Sequence, residues 1–91
     1  MDMRLILAFV TVATLRNFTK AADQLGYAQS TITSQIQLLE KELGVKLFDR
    51  LGKKVCLTPE GEQFLVDARQ LLFSWEKAKG TLSFKNLRMV F

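Results

Sequence analysis

Between Gln29 and Leu39 the chain has no lysine, arginine, aspartate or glutamate, yet it offers Gln29, Ser30, Thr33, Ser34 and Gln37 at helical spacing. Short neutral donors and acceptors on one helix face suit hydrogen bonding to base edges in a major groove. A glutamine can pair with adenine through two bonds, serine and threonine can reach bases or phosphates, and a threonine methyl can meet a thymine methyl. The alternative is a plain solvated face, but a helix exposed only to water usually carries some charge. Cations follow close by at Arg50, Lys53 and Lys54, and Lys20 precedes the face. These would contact phosphates, with surface solubility as the competing role.

Other chemistries have little to stand on. The chain has no histidine and a single cysteine, Cys56. No Ser-His or Cys-His nucleophile is available, no internal disulfide can form, and a structural zinc site lacks ligands. Glu40 and Glu42, and likewise Glu60 and Glu62, fall on different faces of their helices, and no glycine-rich phosphate loop occurs. The chain is therefore expected not to be an enzyme and to need no cofactor. Cys56, set between Val55 and Leu57, is expected to fill the core. The net charge of +4 favours an acidic partner, and the excess is +3 over residues 1–58 against +1 over 59–91. No apolar run approaches the ~18 residues of a membrane span, and the apolar start lacks a signal-peptide cleavage region. A cytoplasmic protein with no membrane partner is expected.

The elements that must position the neutral face can be read from caps and periodicity. Asp2 caps a first helix, Met3 to Leu15, with apolar residues around a wide face. Thr19 is expected to cap a short second helix, Lys20 to Leu25, with Phe18 folding back as an anchor and Gly26 turning a sharp corner. The third helix, Gln29 to Leu43, sets Ile32, Ile36, Leu39 and Leu43 on its core side. Two short strands, 45–50 and 54–57, flank a tip at Leu51-Gly52-Lys53. Thr58-Pro59-Glu60 starts a fourth helix reaching Lys79, with Gly80 ending or loosening it. Phe64, Ala68, Leu71, Trp75, Ala78 and Leu82 form a heptad seam on that helix. A domain this small has too little left to cover such a seam, so a dimer contact is expected. The fold class is mainly α: a winged helix-turn-helix, with a three-helix core and a two-stranded wing, followed by a long linker and dimerisation helix. The expected division is 1–58 for the DNA-binding domain, 59–80 for the linker helix and 81–91 for a hinge.

The run FTKAADQLGYAQSTITSQIQLLEKELGVKLFDR, followed by LTPEG, is distinctive in combination. From Met3 to about Lys79 the chain resembles the N-terminal DNA-binding domain of LysR-type transcriptional regulators. The resemblance implies a winged helix-turn-helix on a dimerising helix. It places base and backbone contacts at Gln29, Ser30, Thr33 and Ser34, with the wing at Arg50 and Lys53. It also implies a larger effector-binding domain beyond this chain, with 87–90 as the start of its first strand, so the chain is expected to be part of a longer regulator. Three positions depart from the family pattern. Ala28 stands where a serine cap is frequent, Ser30 where proline is common, and Ser34 where arginine is common. Ser34 removes a guanine-reading guanidinium and shifts phosphate binding toward the wing.

The expected function is sequence-specific binding of double-stranded DNA, at an interrupted palindrome, by a homodimeric bacterial transcription regulator. A tetramer is open to the full-length form, and a small-molecule effector enters only with a regulatory domain. The competing function is a winged-helix interaction module that hetero-dimerises without DNA specificity of its own.

Overall fold

A computed structural model describes residues 2–51 and 54–89 of the chain, with side chains at 2–49 and 54–81. The order is α1 (Met3–Leu15), α2 (Phe18–Leu25), α3 (Gln29–Leu43), β1 (Phe48–Leu51), β2 (Lys54–Leu57) and α4 (Pro59–Met89). The mainly helical winged architecture expected from the sequence is observed.

Helix α1 is the hub. It buries Leu5, Ile6, Ala8, Phe9, Val12 and Ala13, and α2, α3 and α4 all pack on it. Phe9 meets Phe48 and Phe64, each at 5.4 Å between ring centres, and Phe48 meets Phe18 at 5.8 Å. This aromatic chain ties α2, the wing, α1 and α4 into one core. At the start of α1, Asp2 accepts a hydrogen bond from the Arg4 backbone N–H at 2.9 Å and pairs with its guanidinium at 2.8 Å. Side-chain bonding to Arg4 holds the Asp2 carboxyl below its ordinary range and raises Arg4 in turn. The stabilisation from this cap is present above the carboxyl's ordinary pKa and is lost as pH falls through its lowered value.

The second helix starts earlier than expected. Asn17 is its cap, and its side chain accepts from the Lys20 N–H at 2.8 Å. Thr19 has the right chemistry for that role, but burying Phe18 against Phe48 draws Phe18 into the first turn and moves the cap to Asn17. Gly26 (φ 76) and Gly44 (φ 73) close α2 and α3 in the left-handed conformation that suits glycine. Ala28, the cap residue of α3, makes no side-chain cap bond.

The wing begins at Phe48 rather than Val45, because the chain before it is committed elsewhere. The Glu40 carboxylate accepts from the Leu47 N–H at 2.8 Å and the Phe48 N–H at 3.4 Å, while the Leu47 carbonyl accepts from the Thr58 N–H at 3.0 Å. Lys46 Nζ stands 3.9 Å from Glu40, at the edge of ion-pair range and largely exposed, so the backbone bonds define this carboxylate's role. Replacing Glu40 with Gln keeps an acceptor but loses its charge. It is expected to cost about 1–2 kcal/mol, measured by urea unfolding, with faster amide exchange at Leu47 and Phe48.

Strands β1 and β2 pair antiparallel, Phe48 with Leu57 through Leu51 with Lys54. Leu51 of the expected tip thus belongs to the strand, and Gly52 and Lys53 lie outside the described residues. Alternation along β2 turns Val55 and Leu57 inward and leaves Cys56 exposed. The expectation that Cys56 fills the core is corrected by that register.

Helix α4 starts as expected. Thr58 Oγ1 accepts from the Gly61 N–H at 2.9 Å and donates to the Lys46 carbonyl at 2.6 Å. The helix then continues past Gly80 to Met89, through the region expected to be a hinge and an incipient strand. One glycine costs a helix only about 1 kcal/mol relative to alanine, too little to stop one already propagating. The seam divides. Phe64 packs against the core and Ala68 is fully buried in it, so those two residues face α1 of their own chain. Leu71, Trp75 and Ala78 are exposed. The Leu82 side chain lies outside the described residues.

Candidate nucleic-acid interface

Helix α3 is held from behind by Ile32, Ile36 and Leu39, all buried. Gln29, Ser30, Thr33, Ser34 and Gln37 share the other side, spanning roughly 140° at 3.6 residues per turn. Gln29, Ser30, Ser34 and Gln37 are exposed, and Thr33 is half-buried. Thr33 and Gln37 line a groove of about 300 Å³ between α3 and the wing, closed by Phe18, Phe48 and Lys46. With no side-chain cap at Ala28, the Gln29 and Ser30 amides remain available to an anion, while the Thr31 N–H donates to the Ala28 carbonyl at 3.0 Å.

Lys20 and Lys54 are exposed, on α2 and on the wing. The Arg50 side chain and Lys53 lie outside the described residues. The wing is not purely cationic, since exposed Asp49 pairs across the sheet with Cys56. Two residues that the sequence pattern did not assign to the site stand beside the face. Lys46 enters the groove lined by Thr33 and Gln37. Thr19 Oγ1 donates to Gln29 Oε1 at 3.0 Å. Both relations run between elements, so local spacing carries no signal for them.

Residues 3–62 match the family described as bacterial regulatory helix-turn-helix protein, lysR family. The chain belongs to the lysR family. Among its curated relatives, the HTH-type transcriptional regulator BudR of Raoultella terrigena is 48% identical over 84 residues, covering 88% of this chain and 29% of BudR. The uncharacterized HTH-type transcriptional regulator YwqM of Bacillus subtilis (strain 168) is 44% identical over 79 residues, covering 87% of this chain and 27% of YwqM. This lysR-family chain thus spans under a third of the length of those relatives. Among solved structures, the BenM DNA-binding domain in complex with its catB site 1 DNA superposes with a TM-score of 0.86 at 40% identity, covering 91% of this chain and 92% of that one. The CbnR DNA-binding domain in its DNA complex gives 0.82 at 38% identity, covering 87% and 91%. The winged helix-turn-helix and the lysR-family membership expected from the sequence are both borne out.

Proposed function

We propose that this lysR-family chain is the DNA-binding part of a dimeric bacterial transcription regulator, acting in the cytoplasm and not as an enzyme. The observation that carries the proposal is the uncharged, exposed hydrogen-bonding face of α3 beside the wing. Its likeness to BenM and CbnR domains in DNA complexes supports the same reading.

The parts divide the work by chemistry. Lys20, Lys54, Arg50 and Lys53 set the register on the phosphates, joined by the Gln29 and Ser30 amides of α3. Gln29, Ser30, Thr33, Ser34 and Gln37 meet base edges, at about 1–3 kcal/mol of discrimination for each good paired contact. Two copies would place their α3 helices in successive major-groove faces, with half-sites spaced by whole turns of about 34 Å. The operator is then an interrupted palindrome. Effector response and any tetramer belong to the longer regulator.

Selection of bound sequences from a random DNA pool, followed by gel-shift titration over a salt series, tests this reading. Gln29→Ala is expected to relax preference at one base pair per half-site. Lys54→Ala is expected to weaken all sequences alike and to flatten the log–log salt slope by about one for each phosphate the lysine neutralises. Specificity unchanged in Gln29→Ala would remove α3 from the reading role. The absence of any salt-sensitive binding would favour the interaction-module alternative.

A further inference from the structure

We infer that Thr19 is a positioning residue for Gln29, presenting the glutamine's amide nitrogen to the DNA before contact is made; this rests on the DNA-reading role of α3. Asn17 accepts from the Lys20 N–H at 2.8 Å and so caps α2, which frees the Thr19 hydroxyl from that duty. The hydroxyl instead crosses the turn and donates to Gln29 Oε1 at 3.0 Å. Ala28 gives the first turn of α3 no side-chain cap; only its backbone carbonyl serves that turn, accepting from the Thr31 N–H at 3.0 Å and the Ile32 N–H at 3.3 Å. The Thr19 bond therefore links the two helices of the motif directly at the residue that opens the reading face.

Two consequences follow for recognition. A glutamine side chain has considerable rotamer freedom to lose when it binds, and a bond already made in the free protein removes part of that loss. The bond also occupies one of the two Oε1 lone pairs while leaving both Nε2 hydrogens free. What Gln29 offers outward is therefore weighted toward donors. Donors suit the acceptor atoms of purines in the major groove, N7 in both and O6 in guanine. Thr19 thereby sharpens selection without touching a base.

The test uses Thr19→Val, Thr19→Ser, Gln29→Ala and the Thr19→Val/Gln29→Ala double variant. Each is titrated against the sequence selected by the parent chain and against its single-base variants, across a salt series. Thr19→Val is expected to reduce discrimination roughly three- to tenfold, at the base pair that Gln29→Ala also relaxes. It should add nothing in the Gln29→Ala background, leave the salt slope unchanged, and be rescued by Thr19→Ser. In the free parent chain, the Gln29 side-chain amide should be ordered by NMR relaxation, and disordered in Thr19→Val. A uniform loss across all sequences, or full additivity with Gln29→Ala, would make Thr19 a phosphate or packing contact and overturn the inference while leaving DNA reading intact. An unchanged Gln29 amide order in Thr19→Val would overturn it on the free protein alone. Failure of the parent chain to select any sequence would bring down the DNA reading itself, and the positioning role with it.

Discussion

A chain carrying Gly61→Ala is expected to lose on the order of 3 kcal/mol of stability or more, a fall in Tm of about 12 °C or more for a domain of this size. Alanine is the better helix former, by about 1 kcal/mol, so the direction of this effect comes entirely from space. A Cβ at position 61 would collide with the Leu47 carbonyl oxygen and approach Leu57 Cδ2 to 3.0 Å. The leucine tip can yield, but the carbonyl cannot. It accepts from the Thr58 N–H at 3.0 Å, and the neighbouring Leu47 N–H is held by Glu40 at 2.8 Å. Moving the carbonyl would pull apart the junction of α3, wing and α4 together. At Gly80, on the same helix, an added Cβ would meet nothing within 4 Å. Gly80→Ala is therefore expected to be neutral or stabilising by up to about 1 kcal/mol. Paired thermal melts of the two variants measure the difference.

The contrast between these glycines shows what sequence reasoning can reach. Helix ends governed by local chemistry were legible: Asp2 ahead of α1, Gly26 after α2, and Thr58-Pro59 ahead of α4. Where two local solutions compete, the core decides. Asn17 and Thr19 are both able caps, and only the burial of Phe18 selects Asn17. Cys56 looks apolar beside Val55 and Leu57, yet the pairing register sends it outward. Glu40 was visible as a carboxylate on a helix, but its function as acceptor for the first wing amides exists only once the chain has turned back. At the site, the missing charges of α3 marked the exposed face directly. Thr19 and Lys46 join that face through contacts from other elements, beyond the reach of any helical spacing.

The Leu71→Glu/Trp75→Glu double variant is expected to be monomeric and to bind its DNA about 10²- to 10⁴-fold more weakly than the parent, on the proposed dimeric reading. Helix α4 is far longer than its own core can cover. Its 31 residues extend about 46 Å at ~1.5 Å per residue, while its packing on the core involves Phe64, Leu65 and Ala68 near its start. From Phe73 to Thr81 every residue is exposed. A lone helix in water gains little stability from propensity alone, and this one exposes Leu71 at 48% and Trp75 at 46%. Those two residues are four apart and continue to Ala78, so one partner helix could cover them. Val66 and Phe73, exposed at 61% and 70%, form a second apolar pair seven apart on nearly the opposite side. A two-helix contact can use one of these stripes. The heptad continuity of Leu71, Trp75 and Ala78 favours the first, so Phe73→Glu is expected to leave the dimer intact. Sedimentation equilibrium on the two variants decides between the stripes. If Phe73→Glu dissociates the dimer and the double variant does not, the second copy docks on the Val66–Phe73 side. The expected DNA effect follows from linkage rather than from any change at the bases. Each α3 face and wing is unaltered in the double variant, but the second half-site must then be bound from solution instead of from a tethered neighbour. The salt slope per bound chain should therefore match the parent's, while the apparent Kd rises.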